Sequence, residues 1–204
     1  MRDKIKRFIK ILKPYKGVLL FLFLLFFFHF SWKITIDGDM EGNTMYFLGK
    51  DVTPGWFLVV CHWLTVASAW VIHLFPNNGD LVTGINYLLF PVNNGWKINI
   101  VWGCIGIKQM SIFAGIILFY WGPFRKKIGY IFTGWTILTI YNIIRIALAV
   151  ILTKGHAERF DFLHDGILRY IYYGIIFLLW VVWEEIIVNK NKLSWKSLIR
   201  IFKH

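Results

Sequence analysis

Three side chains in this sequence could act together on an acyl group: the thiol of Cys104, the guanidinium of Arg145 and the imidazole of His164. Cys104 lies in the stretch INIVWGCIGIKQMS, residues 98–111. Ile98, Ile100 and Trp102 alternate as in a strand, the pattern breaks at Gly103, and a long apolar helix follows. A thiol where a strand turns into a helix faces unpaired N–H groups and the positive end of a helix dipole, which favour the thiolate. The same residue also fits a small buried hydrophobe, the commonest state of an isolated cysteine. The other cysteine, Cys61, sits inside an apolar segment. Both are read as free thiols, because their spacing suggests neither a metal site nor a disulfide framework. No cofactor is expected.

Arg145 lies in the apolar run TIYNIIRIALAV, with Asn142 three residues earlier on the same helical face. It is about 10 Å from the end of its segment near Thr153, at 1.5 Å per residue. It can snorkel to the surface or face a partner inside the protein, as ionisable groups in apolar segments usually do. His164 and Asp165 stand immediately before Gly166 and the last apolar segment, with His156 earlier in the same loop. His164 is either a solvated loop residue or a base at the mouth of that helix. As a set the three are chemically coherent. Cys104 would be the nucleophile, and His164 would take its proton and return it to a leaving amine. Arg145 would hold the substrate carbonyl or the oxyanion that develops from it. Gly106 and Asn142 are the expected substrate-binding neighbours, Gly106 because it leaves the helix head uncrowded. Ser111 is a weaker nucleophile, two turns inside its helix with no base nearby. His62 and His73 share a helical face with Thr65 and Ala69, which fits a helix with one side toward the protein interior or, alternatively, a base or metal ligand.

The elements that must position these groups belong to a membrane protein. Of 204 residues, 57% are hydrophobic and 19% aromatic, and the mean hydropathy is +0.57. Runs such as GVLLFLFLLFFFHF approach the roughly 20 residues that cross a hydrocarbon core. The net charge of +12 would ordinarily raise nucleic acid as a partner. Here, however, 15 of the 23 Lys and Arg fall before Gly17, in the turn Arg125–Lys127 and after Val188. Those are cytoplasmic flanks under the positive-inside rule, and no nucleic-acid partner is expected. The fold class expected is an all-α polytopic bundle in one domain, with a short extracytoplasmic β-hairpin before the Cys104 helix. Residues 1–16 read as an amphipathic segment on the cytoplasmic leaflet. Segments 17–32, 104–123, 128–152 and 166–188 read as spans, the first of them uncleaved, and 189–204 as a basic cytoplasmic tail. Residues 33–54 read as a polar loop without an assigned role. The hairpin is signalled by YLLFPV and WKINIVW flanking Asn93-Asn94-Gly95. This orientation places Cys104 and residues 153–165 outside the cell membrane. It also requires an odd number of crossings before Cys104. Either 55–75 re-enters or lies at the interface, or 81–92 contributes a further crossing, and the polar stripe and hairpin favour the first.

Cys104-Ile105-Gly106-Ile107 at a helix entry, Asn142-Ile143-Ile144-Arg145-Ile146 in the next segment and His164 before the last together resemble the exosortase/archaeosortase family. The resemblance covers roughly residues 80–185. The commonest family pattern has Ser or Thr where this chain has Ile105, and many members are longer, with more spans. The resemblance implies a membrane-embedded cysteine protease or transpeptidase with Cys104, Arg145 and His164 catalytic. Its partners would be exported proteins carrying a C-terminal tail built of a short motif, one transmembrane helix and a basic cluster. Cleavage would pass through a thioester resolved by an amine or water. Two other classes stand beside it: a non-enzymatic membrane assembly factor for polysaccharide or protein export, and a small transporter. The apolar middle of every segment counts against transport.

Overall fold

A computed structural model of the chain describes residues 15–39, 44–76, 80–91, 95–153, 156, 159 and 162–188, without the side chains of Asp39, His164 and Asp165. The expected amphipathic segment 1–16, apart from Tyr15 and Lys16, and the expected basic tail lie outside the described residues. The protein is mostly helical and has two small antiparallel sheets. Three helices are long and apolar enough to cross a membrane: Lys16–Thr35 (α1), Phe124–Thr153 (α4), and Leu168–Val188, which comprises α5 (Leu168–Trp183) and a π-helical turn, Glu184–Val188. Two apolar helices are shorter, Phe57–His73 (α2) and Ile107–Phe119 (α3).

α1 carries apolar residues on every side. Only Phe21 and Leu24 are fully buried in it, while Phe23, Phe26, Phe27 and Phe30 stand exposed. A helix apolar all round that the protein does not cover needs an apolar solvent. α1 and α3 pack antiparallel. Gly17 lies against the Tyr120 hydroxyl, and the Phe28 ring covers Gly115. At the far end Trp32 stacks on Trp102, ring centroids 6.1 Å apart. α4 runs antiparallel to both α3 and α5. The Trp135 indole donates to the Met110 carbonyl at 3.0 Å, and the Phe113 ring fills the space a side chain on Gly134 would take. Tyr130 and Tyr141 on α4 donate to the carbonyls of Leu179 and Leu168, at 2.7 and 2.8 Å. Such side chain to backbone bonds between helices hold a bundle where apolar solvent supplies no competing partners. The bundle therefore has two ends, one marked by Lys16, Tyr120 and Arg125–Lys127 and the other by Thr35, Trp102 and Cys104. At the first end the buried Lys127 ammonium donates to the carbonyls of Leu118 and Tyr120. It meets the orphan acceptors and the negative dipole of the α3 C-terminus.

The region read as a loop, 33–54, is a correction. Strands Ile36–Asp39 (β1), Thr44–Phe47 (β2) and Lys50–Asp51 (β3) form a three-stranded meander that continues out of α1. Its second turn is Leu48-Gly49, both at positive φ (49° and 79°), the left-handed pairing that suits a two-residue hairpin. The expected hairpin before Cys104 is present as Tyr87–Phe90 (β5) and Trp96–Asn99 (β6), with Leu88 opposite Ile98. It is widened to three strands by Val82–Thr83 (β4). Gly95 closes its turn at φ 68°, while Asn93 and Asn94 lie outside the described residues.

α2 packs only on the half of α4 nearest Cys104. Its buried residues, among them Cys61, Leu64 and Ile72, share a core with Leu88, Phe90, Ile98 and Cys104, and with Ile146, Ala147 and Val150 of α4. The face expected from sequence is rotated. Thr65 and Ala69 are buried as read, but His62 and His73 are exposed. The burial follows Phe57, Cys61, Leu64, Ser68 and Ile72 instead, because these apolar and small residues repeat at helical spacing and fit against the sheet. A second core joins α1, α3, α5 and the other half of α4.

Candidate functional site

Cys104 does not stand at the head of α3. It ends a 3-10 turn, Trp102–Cys104, and its N–H donates to the Val101 carbonyl at 2.8 Å. Gly106 then reverses the backbone at φ 75° and caps α3, which begins at Ile107. Ile105 is buried between them. The Cys104 side chain is buried, at 9% exposure, in the same apolar cluster as Cys61, and both are free thiols.

Asn142 holds this turn. Its side-chain amide donates to the Cys104 carbonyl at 2.7 Å, and Asn142 itself is 1% exposed. A Cβ on Gly106 would lie 2.9 Å from the Tyr172 hydroxyl and 3.4 Å from the Asn142 amide. Gly106 is thus required twice, by its left-handed backbone and by the close approach of α4 and α5. Gly106 and Asn142 are packed against each other, and the Asn142 amide donates to the turn that bears the thiol.

Arg145 does not snorkel. It is 3% exposed, and its guanidinium lies 5.8 Å from the centroid of the Tyr172 ring, within the range of a cation–π contact. Tyr172 is fully buried, donates to the Leu138 carbonyl at 3.2 Å, and meets the Tyr141 ring edge-to-face at 5.2 Å. It is the residue that sequence reasoning missed. Within α5 it belongs to the buried series Leu168, Tyr172, Ile176 and Trp180, which reads as ordinary core. Only its contacts with Gly106 and Arg145 distinguish it.

The structure therefore brings the Cys104–Gly106 turn, Asn142, Arg145 and Tyr172 into one cluster built from three elements. The backbone of His164 belongs to a π-helical turn, Phe162–Ile167, leading into α5 and packed beside α4. Its side chain lies outside the described residues. His62 is exposed, with its Nδ1 3.1 Å from the Ile85 carbonyl. Among the described residues there is no group of three or more His, Cys, Asp or Glu that could hold a metal ion.

Two cavities border these helices. An apolar groove of about 710 Å³ runs between α2 and α4, lined by Trp63, Ala67, Trp70, Ile140 and Ile144. A more polar cavity of about 740 Å³ opens beside Trp102 and Gly103. Compared with protein-family models, with characterised proteins and with solved structures, the chain matches none.

Proposed function

We propose that the chain is a membrane-embedded cysteine peptidase or transpeptidase that removes C-terminal sorting tails from exported proteins, as its likeness to the exosortase/archaeosortase family implies. The observation that carries this reading is the hydrogen bond from Asn142 to the Cys104 carbonyl. It joins the Cys-x-Gly turn to the Asn-x-x-Arg helix, the two motifs on which the resemblance rests. The burial of Arg145 near the same turn supports a role for it in the interior.

In this reading α1, α3, α4 and α5 traverse the cell membrane. The Arg125–Lys127 end is cytoplasmic and the Cys104 end extracytoplasmic. α2 enters and leaves on the extracytoplasmic side, which satisfies the odd number of crossings before Cys104. The groove between α2 and α4 seats the substrate's membrane helix, since it is apolar and runs along α4 past Ile140 and Ile144. The Cys104 thiolate attacks the scissile carbonyl carbon while Arg145 stabilises the oxyanion. His164 protonates the departing amine as the C–N bond breaks, leaving a thioester on Cys104. An amine or water then attacks the thioester and releases the thiolate.

The deciding experiment is Cys104→Ala in a cell that contains a tailed substrate. The tail should remain attached in the variant and be lost with the wild type. Normal loss of the tail in the variant would overturn the mechanism and favour a non-enzymatic assembly factor.

A further inference from the structure

The two small sheets present four outer edges, and backbone register decides which of them could accept another strand. In an antiparallel ladder, alternate residues turn their N–H and C=O groups away from the partner. β3 and β4 are two residues long and turn a single residue outward each. On β1 the outward residues are Ile36 and Gly38, since the Leu48 N–H donates to the Thr35 carbonyl and sets the alternation. Both of their donors are taken, the Ile36 N–H by the Trp32 carbonyl and the Gly38 N–H by the Asp37 carboxylate. The Trp102 indole also lies against Gly38. β6 differs. The Ile100 N–H donates to the Asn86 carbonyl at 2.7 Å, so the backbone groups of Ile98 and Ile100 point to β5 and those of Lys97 and Asn99 point away from it. Among the described residues no strand pairs with that edge, and the outward groups of Lys97 and Asn99 have no hydrogen-bond partner. Both residues are exposed. Lysines commonly guard such edges, yet the Lys97 ammonium is drawn back over the Tyr87 ring of β5, 4.3 Å from its centroid. The edge also leads to the thiol. Val101 remains extended (φ −106°, ψ 174°), and its carbonyl receives the Cys104 N–H.

We propose that the outer edge of β6 binds the substrate segment that precedes its membrane helix, as an added strand paired with the backbone of Lys97 and Asn99. The proposal rests on the peptidase reading and assigns the site that holds the segment to be cut. What favours this occupant is where the edge ends. Cys104 stands five residues beyond Asn99, at most about 16 Å of chain at 3.3 Å per residue. A segment paired at Asn99 therefore brings a peptide bond to the thiol within a few residues of its own length. Strand addition takes its affinity from main-chain groups, which any polypeptide supplies, and its selectivity from alternate side chains. It also holds the bound segment extended, with its backbone in register with the strand that carries the thiol.

The test reads tail removal in the cell used for Cys104→Ala, with the thermal midpoint of each purified full-length variant measured in detergent. Asn99→Pro deletes the outward N–H without touching the β5 ladder, the kind of position at which a strand tolerates proline. It should slow tail removal about tenfold, the upper end for one hydrogen bond, with the midpoint little changed. Asn99→Ala keeps the N–H and should cleave at the wild-type rate. Thr83→Pro places the same ring on the opposite edge of the sheet and should also cleave normally. Unaltered tail removal by a folded Asn99→Pro chain, or an equal slowing in Asn99→Ala, would overturn the proposal. Cross-linking decides the case in which proline unfolds the sheet. A chain with Asn99→Cys, Cys61→Ser and Cys104→Ala is mildly oxidised against single cysteines scanned along the substrate segment before its membrane helix. Links should form at every second position, as the alternating side chains of a neighbouring strand require. No links, links without alternation, or links only to a second copy of this chain would each overturn strand addition. Retained tail removal in Cys104→Ala sinks the peptidase reading itself. Retained removal in Asn99→Pro, with loss in Cys104→Ala, sinks the strand addition alone.

Discussion

Asn142 and Tyr172 decide what the thiol's surroundings can do. Replacing Asn142 by Ala leaves the Cys104 carbonyl without its donor in an apolar setting. The expected cost is about 1–3 kcal/mol, read as a lowered midpoint of thermal unfolding in detergent. On the peptidase reading, tail removal should fall with it, since the turn is no longer held. Tyr172→Phe keeps the ring under Arg145 and should retain most activity, whereas Tyr172→Leu removes the ring and should lose about 30-fold, the worth of a desolvated cation–π contact. Equal effects from the two substitutions would assign the role to the hydroxyl that meets Leu138 instead. Arg145→Lys should reduce the rate by at least about 100-fold, because an ammonium cannot present the planar, two-donor edge of a guanidinium. Gly106→Ala forces a side chain into the left-handed region, at about 1–2 kcal/mol, and toward the Tyr172 hydroxyl. Cys104, Arg145 and Gly106 were legible in the sequence because their types are unusual where they stand. Tyr172 was not, since an aromatic residue in an apolar helical stripe looks the same whether it packs or positions.

At the scale of elements, the pattern of the chain predicted the β5–β6 hairpin because alternation and an Asn-Gly turn signal the same structure twice. The β1–β3 meander escaped because β1 (Ile-Asp-Gly-Asp) and β3 (Lys-Asp) are polar and show no apolar alternation, and its turn places Leu48 at a positive φ that composition does not announce. The histidine face of α2 was misplaced by a rotation. Sequence gives the period of a helix, but the partner, here sheet and α4, decides which stripe is covered. α2 also supplies one wall of the groove beside α4. Ala67→Phe would fill that groove from a partly exposed position. On the peptidase reading, tail removal should fall several-fold with thermal stability nearly unchanged, while an unchanged rate would place the proposed substrate helix elsewhere.

For the whole molecule, the basic residues at the three flanks were visible in the sequence, whereas Lys33, Lys108 and Arg169, which line the polar cavity beside Gly103, were not visible as a group. They belong to the remaining eight cations, separated by more than sixty residues each, and only the convergence of α1, α3 and α5 assembles them. The two-ended bundle makes a topological prediction. In a chain with Cys61 and Cys104 replaced by Ser, single cysteines at Asp51 and Leu74 should react with an impermeant thiol reagent from the same side of the membrane, and one at Lys126 from the opposite side. Labelling of Leu74 and Lys126 from one side would mean that α2 crosses. Cys104 and Arg145 would then need a different arrangement relative to the membrane.

α3 has 13 residues, about 20 Å of helix at 1.5 Å per residue, against a hydrocarbon layer of about 30 Å. Lys127 seals its carbonyl end with a buried charge, so the helix cannot simply be drawn further into the layer. On the membrane reading, the lipid must shorten to meet it, at a fraction of a kcal/mol for each ångström of mismatch. The bilayer beside Cys104 is then dimpled, and a tethered chain emerging there reaches headgroup depth sooner than in the surrounding membrane. Acyl-chain length thereby becomes a control on the reaction: in vesicles of increasing thickness the same protein should work progressively more slowly, with its thiol and guanidinium unchanged.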